Sequence, residues 1–111
     1  MRIPNDAIIA WQKLTHYLLV RRLRDDKSQY LARGGFTGDN PERLHDAIRE
    51  LAASYDAEEN GTSDYGVFLR VEGHLKGPDG VSLPVVTIWL RWHLDGTVHF
   101  VTLKPRSEGG A

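Results

Sequence analysis

The sequence predicts an α+β domain in which two or three N-terminal helices pack on one face of a C-terminal antiparallel β-meander of three to four strands. Apolar residues recur at helical spacing in the first half of the chain, whereas apolar and polar residues alternate in the second half. An Asp-Gly pair separates the last two alternating runs, and such a pair is a strong signal for a β-hairpin. Helices followed by a run of strands are typical of the α+β class.

The length and composition indicate one globular domain. The chain has 111 residues, and we predict a single ordered domain over residues 1–106 with a flexible tail over residues 107–111. There is no cysteine, so the sequence excludes a disulfide framework and thiolate chemistry. We expect no cofactor and no metal site.

The charges of the chain are nearly balanced but unevenly distributed. The formal net charge is −1, which gives no general attraction to nucleic acid or to an anionic membrane. Basic residues dominate between Ile9 and Arg33, whereas acidic residues dominate between Asp39 and Asp64. Two interpretations stay open: solvated helix faces, or a domain whose basic end meets an anion.

The sequence shows no targeting or membrane signal. No signal-peptide pattern is present at the N-terminus, and no apolar run approaches the length of about 18 residues that indicates a membrane span. Without a signal peptide, the Asn60-Gly61-Thr62 sequon is interpreted as a chance match. We therefore expect a cytoplasmic domain without a membrane partner, and the alternative that stays open is the tail of a larger exported protein.

Three helical segments are expected before the strands. The first follows a cap in the Asn5-Asp6 pair. The second begins within the Asp25-Asp26 pair and ends at Gly34-Gly35, because glycine favours a C-cap. The third has Pro41 in its first turn. Its apolar stripe comprises Leu44, Ala47, Ile48 and Leu51.

Three long strands are expected in the second half, in DYGVFLRVEGHLK, VSLPVVTIWLRWHL and TVHFVTLK. The polar stretch SYDAEENGTSD before them is expected to be a loop. If Asp95-Gly96 forms a two-residue turn, Trp89 pairs with Thr102. The turn at residues 77–80 closes on two or four residues, and either length gives the sheet the same two faces.

The predicted pairing gives the sheet a core face and a second face. The core face, with His99 as the exception, carries Tyr65, Val67, Leu69, Val71, Leu75, Val86, Ile88, Leu90, Trp92, Val101 and Leu103. The second face carries Phe68, Arg70, Glu72, His74, Thr87, Trp89, Arg91, His93, Phe100, Thr102 and Lys104. The second face is a site, or it packs beneath a helix or a partner chain.

The second face has the side chains that cleavage of RNA needs when no metal ion takes part. Such cleavage requires a base for the 2′-hydroxyl, an acid for the leaving oxygen and cations for the phosphorane. Arg and Lys bind phosphate, His exchanges protons near neutral pH, and aromatic rings stack bases. By contrast, His16 and Tyr17 are expected to pack or to lie at the surface. His93 and His99 face opposite ways and do not form a zinc site.

Five sequence motifs occur in order: KLTHYLL, DDKSQYLARGGF, YGVFLRVEGHLKGPDG, VVTIW and FVTLKP. Over roughly residues 11–105 they resemble a family of small bacterial domains of unknown function. The family pattern includes Lys-Leu-x-x-Tyr-Leu-Leu, a Lys before Gly-Phe, and Val-Thr-x-x-Pro. The architecture is more loosely similar to the barnase, EndoU, colicin and RelE-like ribonuclease toxins, which implies a cleft on the uncovered face of the sheet.

The leading hypothesis is a metal-independent, RNase-like, toxin-related domain that acts on RNA through the second face. His93 is the candidate general base or acid, and Arg91 and Lys27 are the candidate phosphate clamps. Thr102 is expected to position a phosphate oxygen, and Trp89 to stack a base. Further substrate contacts are expected from Lys13, Arg70, Phe100 and Lys104.

The alternative hypothesis is a non-catalytic interaction module that uses the same face. It would form a homodimer or bind a small cognate protein. Aromatic side chains are frequent interface anchors, and the candidates are Trp89, Phe68 and Phe100. Under the first hypothesis Arg91→Ala abolishes RNA cleavage, whereas under the second Trp89→Ala abolishes dimerisation.

Overall fold

Helices precede a four-stranded antiparallel sheet in the computed structural model, which describes residues 1–23 and 26–106. The helices are α1 (Trp11–Lys13), which continues into a π-helical stretch (Leu14–Leu18), α2 (Ser28–Ala32) and α3 (Pro41–Ser54). The strands are β1 (Glu58–Thr62), β2 (Gly66–Lys76), β3 (Ser82–Trp92) and β4 (Val98–Pro105), and they lie side by side in that order. The predicted α+β fold class is confirmed. The predicted tail over residues 107–111 lies outside the described residues, as does Asp25.

The first helical segment widens after α1. The Leu19 N–H donates to the Leu14 carbonyl at 3.0 Å, a five-residue spacing that is the mark of a π-helix. Leu14 and Leu18 are fully buried, and Tyr17 packs partly against the core. π-helical turns are rare and occur frequently at functional sites. The π-helical stretch is therefore a candidate part of a functional site.

The residues before α1 are extended and pair with the edge of β4. The Ile8 N–H donates to the Val98 carbonyl and the Phe100 N–H to the Ile8 carbonyl, each at 2.8 Å. Ile8 and His99 thus form a parallel bridge. The helix start predicted at Asn5-Asp6 is therefore wrong, because this segment satisfies its backbone groups by covering the sheet edge.

Helix α3 has the predicted start and the predicted buried stripe. Pro41 lies in its first turn, where the missing N–H costs nothing. The helix packs against β2 through its buried residues Leu44, Ala47, Ile48, Leu51 and Ala52. Its amphipathic pattern explains why the sequence was sufficient to predict it.

Strand β1 replaces the predicted polar loop. It pairs antiparallel with β2, with Glu58 opposite Arg70 and Glu59 opposite Leu69. All five of its residues are exposed, so the strand buries no face and shows no apolar alternation. An edge strand of this kind gives no sequence signal, since the signal for a strand is a half-buried pattern.

The β2–β3 hairpin closes on five residues rather than on two or four. Lys76 pairs with Ser82 across residues 77–81. A Cβ atom on Gly77 would lie 1.9 Å from the carbonyl oxygen of Gly34, so only glycine permits this close approach of loop and helix end. A loop with an odd number of residues shifts the register by one, which turns every side chain of β3 to the other face.

The faces predicted for β3 are therefore inverted, while those of β2 are as predicted. The face under the helices carries Leu69, Val71, Leu75, Leu83, Val85, Thr87, Trp89, Val98, Phe100 and Leu103. The opposite face, which we call the open face, carries Phe68, Arg70, Glu72, His74, Val86, Ile88, Leu90, Trp92 and His99. Tyr65, predicted in the core, is exposed.

The β3–β4 hairpin also differs from the prediction. The Trp92 N–H donates to the Thr97 carbonyl at 2.8 Å, so the loop has four residues instead of the two-residue Asp95-Gly96 turn. As a result, Trp89 lies opposite Phe100. The register then shifts by one residue, and such a bulge changes the direction of side chains on an edge strand.

Trp89 is the largest side chain buried in the core. Its indole N–H donates to the Thr87 hydroxyl at 2.9 Å, and this hydroxyl donates to the Val71 carbonyl at 3.2 Å. The Phe100 ring meets the indole edge to face at a centroid distance of 5.3 Å. The polar atom of Trp89 is thus satisfied inside an apolar core, which is the condition for burying it without a penalty.

Trp89→Ala is expected to lower the free energy of unfolding by about 3–5 kcal/mol, because it removes a fully buried indole and leaves a cavity. Trp92→Ala, three residues along the same strand on the open face, is expected to cost about 1 kcal/mol or less. Urea unfolding followed by circular dichroism measures both values. Equal losses for the two variants would contradict the register of β3.

Candidate functional site

A cleft lies between the first helical segment and the edge strand β4. Its volume is about 630 Å³, within the range of ligand sites in proteins. We call it the cleft, and its lining residues are Ala10, Gln12, Lys13, Tyr17, Lys27, Val101, Thr102 and Lys104. Among the described residues, the lining thus contains three lysines and no carboxylate.

Two hydroxyl groups fix the Lys27 side chain in the cleft. Its Nζ donates to the Tyr17 hydroxyl at 3.0 Å and to the Thr102 Oγ1 at 3.0 Å. An ammonium group has three N–H donors, so its hydrogen bonds with the described residues leave one donor for a ligand. The turn that carries Lys27 is itself fixed, because Asp26 accepts from the Ser28 N–H at 2.8 Å. The Ser28 hydroxyl, which also donates to Asp26, holds the pKa of that carboxyl below its usual range.

Two cations flank the ring of Tyr17. The guanidinium carbon of Arg22 lies 4.7 Å from the ring centroid, and the Nζ of Lys27 lies 5.0 Å from it. Both distances are within the reach of a cation–π interaction. Because Tyr17 belongs to the π-helical stretch, the unusual turn presents its phenol to the cleft. Arg22 adds a fourth positive charge beside the three lysines.

The cleft is positive although the whole chain is slightly acidic. Lys13, Lys27 and Lys104 all line it, and none of them forms an ion pair with a carboxylate in the part of the chain that the structure describes. Cations that lack a counter-charge and share a cleft favour an anionic ligand. Ammonium groups and a hydroxyl are suitable partners for the oxygens of a phosphate.

Some of the residues predicted for the site meet in the cleft, and others are in the core. Those that meet are Lys13, Lys27, Thr102 and Lys104. Trp89 and Phe100 pack beneath the helices with exposed fractions of 0% and 3%. The prediction that Trp89 stacks a base and that Phe100 contacts substrate is therefore wrong, because the register of β3 and β4 turns both rings inward.

The remaining predicted residues lie on other parts of the sheet. Arg91 reaches Glu59 of β1, with 3.6 Å between Nη2 and Oε2. Arg70 forms an ion pair with Glu72 on the open face. His93 is exposed just after the end of β3. None of these three predicted residues lines the cleft, so they do not form one site with the lysines.

Sequence reasoning missed Tyr17, which it assigned to packing or to the surface. A signal for it was present, because Lys13 and Tyr17 are four residues apart in KLTHYLL, a spacing that puts two side chains on one side of a helix. The approach of Lys27 and Thr102 to this pair has no local signal, since 75 residues separate those two. Their meeting depends on how the helices pack on β4.

An apolar patch is exposed at the end of β3. Tyr65, Leu90, Trp92 and Leu94 enclose a hollow of about 380 Å³. Tyr65 is 78% exposed and Leu94 is 90% exposed. The Trp92 ring stacks on His99 with 3.8 Å between centroids and 12° between planes. Clustered apolar side chains in solvent indicate a binding surface, and we call this one the apolar patch.

Residues 1–23 and 26–106 are the part of the chain that the structure describes. In these ranges, no group of three or more His, Cys, Asp or Glu side chains is arranged to hold a metal ion. None of the helices in the same ranges combines the length and the apolar character needed to cross a bilayer. The positive charge around the cleft comes from ammonium and guanidinium groups.

Helices on one face of an antiparallel meander, with a basic cleft at its edge, define a small α+β domain. A model of the family described as "Domain of unknown function (DUF6883)" matches residues 3–107. The chain therefore belongs to that family, which confirms the predicted resemblance to a small domain of unknown function. No curated protein matches the sequence.

A solved structure shares this fold. It is a chain of the "Contact-dependent growth inhibition toxin - immunity protein complex from Klebsiella pneumoniae 342". The TM-score is 0.67, and the match covers 92% of this chain and 95% of that chain. The sequences are 18% identical, so the likeness is one of fold, and function has to be argued from the site.

Glu72→Gln is expected to lower the stability of the fold near neutral pH. Hydrogen bonds from Arg106, at 3.0 Å, and from Arg70 hold the pKa of the Glu72 carboxyl below its usual value of 4.5. A carboxyl whose pKa is lowered by folding stabilises the protein above its unfolded-state pKa, and this contribution is lost as the pH falls through the folded-state pKa. The difference between the natural chain and the variant should therefore shrink as the pH falls below 4.5.

Urea titrations at about pH 7 and about pH 3 measure this difference. Glu50→Gln is the matched control, because Glu50 pairs with the exposed Lys76 at 3.6 Å and exposed pairs contribute little. A Glu72 variant that loses as much stability in acid as at neutral pH would contradict the assigned role of the carboxylate.

Proposed function

We propose that this domain is a metal-independent, RNase-like and toxin-related enzyme whose substrate phosphate binds in the cleft. The observation that carries the proposal is the Lys27 ammonium group. Two hydroxyls hold it at 3.0 Å each, and two further lysines line the same cleft without a described carboxylate. A fixed cation with a spare donor can stabilise charge that develops on a phosphorane, because it needs no reorganisation during the reaction.

The proposed reaction is an internal transfer of the phosphoryl group in RNA. The 2′-oxygen attacks the phosphorus, and the bond from phosphorus to the 5′-oxygen breaks, which leaves a 2′,3′-cyclic phosphate and a 5′-hydroxyl. The proton of the 2′-hydroxyl passes to solvent water, and the Tyr17 hydroxyl gives a proton to the 5′-oxygen. Solvent water then returns a proton to the Tyr17 phenolate, so the enzyme is regenerated. Lys13 and Lys27 stabilise the phosphorane. In this proposal Tyr17 is the acid, whereas the sequence alone offered His93 as general base or acid.

The motif pattern supports this assignment of roles. Lys13 and Tyr17 are the lysine and tyrosine of KLTHYLL, Lys27 is the lysine before Gly-Phe, and Thr102 is the threonine of FVTLKP. These four residues come from three separate motifs and converge on one cleft. A toxin-related role agrees with the fold neighbour, which is a chain of a toxin–immunity protein complex.

Lys27→Met is expected to reduce RNA cleavage by at least about 10²-fold, because it removes the charge while it keeps most of the side-chain stem. Cleavage is measured on gels with total bacterial RNA and mixed tRNA in the presence of EDTA. Lys76→Met and Arg91→Ala are the controls, since both residues lie outside the cleft, and they are expected to cleave like the natural chain. Intact RNA with the natural chain, or activity lost only in Arg91→Ala, would overturn the proposal.

Tyr17→Phe is expected to lower kcat by about 10²–10⁴-fold with little change in KM, because only the proton donor is removed and the ring stays. Tyr30→Phe is the matched control, since the Tyr30 hydroxyl donates to the Pro84 carbonyl at 2.6 Å and Tyr30 does not line the cleft. Thermal melting of both variants separates catalysis from folding. A Tyr17 variant with unchanged kcat would refute its role as the acid.

A partner-binding module is the second candidate function. It is favoured by Leu94 and Tyr65, which are exposed by 90% and 78%, and such clustered apolar side chains are typical of protein interfaces. Its anchors would be these two residues and Trp92 instead of the buried Trp89 and Phe100. Light scattering of the natural chain and of Leu94→Ser tests it. A dimer that the substitution dissociates, together with intact RNA in the cleavage assay, would favour this second function.

A further inference from the structure

Three neighbouring hollows share lining residues in sequence from the cleft to the apolar patch, and we call the three together the groove. The middle hollow has a volume of about 240 Å³. It shares Ala10, Lys13 and Val101 with the cleft. It shares Leu90 and Trp92 with the apolar patch. The groove therefore connects the basic end of the site to exposed aromatic rings on the open face.

The chemistry of the groove changes along its length. Lys13, Lys27 and Lys104 line the end at the cleft, and Trp92 and Tyr65 line the end at the apolar patch. No carboxylate lines any of the three hollows within the described residues. Cations followed by exposed aromatic rings are the two elements with which proteins bind a single-stranded nucleic acid.

We infer that the groove binds single-stranded RNA, with phosphates along the lysines and a base against Trp92 and Tyr65 in the apolar patch. This inference rests on the proposed function, because it extends the substrate from the cleft over the neighbouring surface. A purely apolar partner would leave the lysines without counter-charge, whereas RNA supplies both phosphates and planar bases. The charge complementarity of the groove therefore favours RNA as its occupant.

The Trp92 ring is held in place before any ligand binds. Its stack on His99 fixes the plane of the indole. His99 Nε2 lies 2.8 Å from the Thr97 hydroxyl, which donates to Asp95 at 2.7 Å. A ring that is already ordered loses little entropy when a base stacks on it. The ordered Trp92 ring is therefore better suited to stacking on a base than an aromatic ring on a flexible loop would be.

The inference predicts that longer RNA binds more tightly and that Trp92 supplies the gain. The probes are non-cleavable 2′-O-methyl RNAs, a dinucleotide and a single strand of about eight nucleotides. Calorimetric titration of the natural chain should give an affinity for the longer strand at least about fivefold higher than for the dinucleotide. Trp92→Ala should lose this gain and keep the affinity for the dinucleotide.

Trp11→Ala is the matched control, because Trp11 is 47% exposed and Trp92 is 38% exposed, yet Trp11 lines none of the three hollows. It should keep the gain with length. If Lys27→Met lowers the affinity for both RNAs while Trp92→Ala keeps the higher affinity for the longer strand, the proposed binding of phosphate in the cleft is supported and the binding of RNA along the groove is refuted. If neither probe binds, both proposals fail. If length has no effect and Trp92→Ala dissociates a dimer, the patch belongs to a protein partner and the inference is overturned.

Discussion

The pairing of Lys76 with Ser82 is the constraint on which the two faces of the sheet depend. The loop between these residues contains five residues. This length sets the register of β3 so that Trp89 points into the core and Trp92 points to the open face. One tryptophan then completes the core through its hydrogen bond to Thr87, and the other becomes available on the open face. A shift of one residue would exchange the two and would bury the wrong set of side chains.

The parts of the fold that bury a regular apolar pattern could be predicted from the sequence. Helix α3 and strand β2 belong to this group, since each shows a periodicity that matches its burial. The alternation in β3 and β4 was enough to predict two strands, but not which face of β3 lies in the core. Strand β1 could not be predicted because all of its residues are exposed. The register of β3 could not be predicted either, because it depends on the contact between Gly77 and Gly34, which are far apart in sequence.

The residues of the candidate site also fall into those that could be predicted from the sequence and those that could not. The lysines and Thr102 were predictable from residue chemistry and from the motifs that resemble a family, since both single out polar positions. Tyr17 was missed because its four-residue spacing from Lys13 places both side chains on one side of a helix but does not tell whether that side packs or faces a cleft. The hydrogen bonds of Lys27 to Tyr17 and Thr102 join the first helical segment, the residue before α2 and strand β4. Only the folded chain brings these three segments together, so the site is a property of the tertiary structure.

The segregation of charge along the chain explains how a slightly acidic domain can hold a basic cleft. The acidic residues between Asp39 and Asp64 belong largely to α3, β1 and the loops beside them, while the cleft draws Lys13 and Lys27 from the first part of the chain. Exposed charges are screened over about 8 Å at physiological ionic strength. A ligand in the cleft therefore meets the nearby lysines and not the net charge of the domain. This favours the second of the two interpretations of the charge pattern, a domain whose basic end meets an anion.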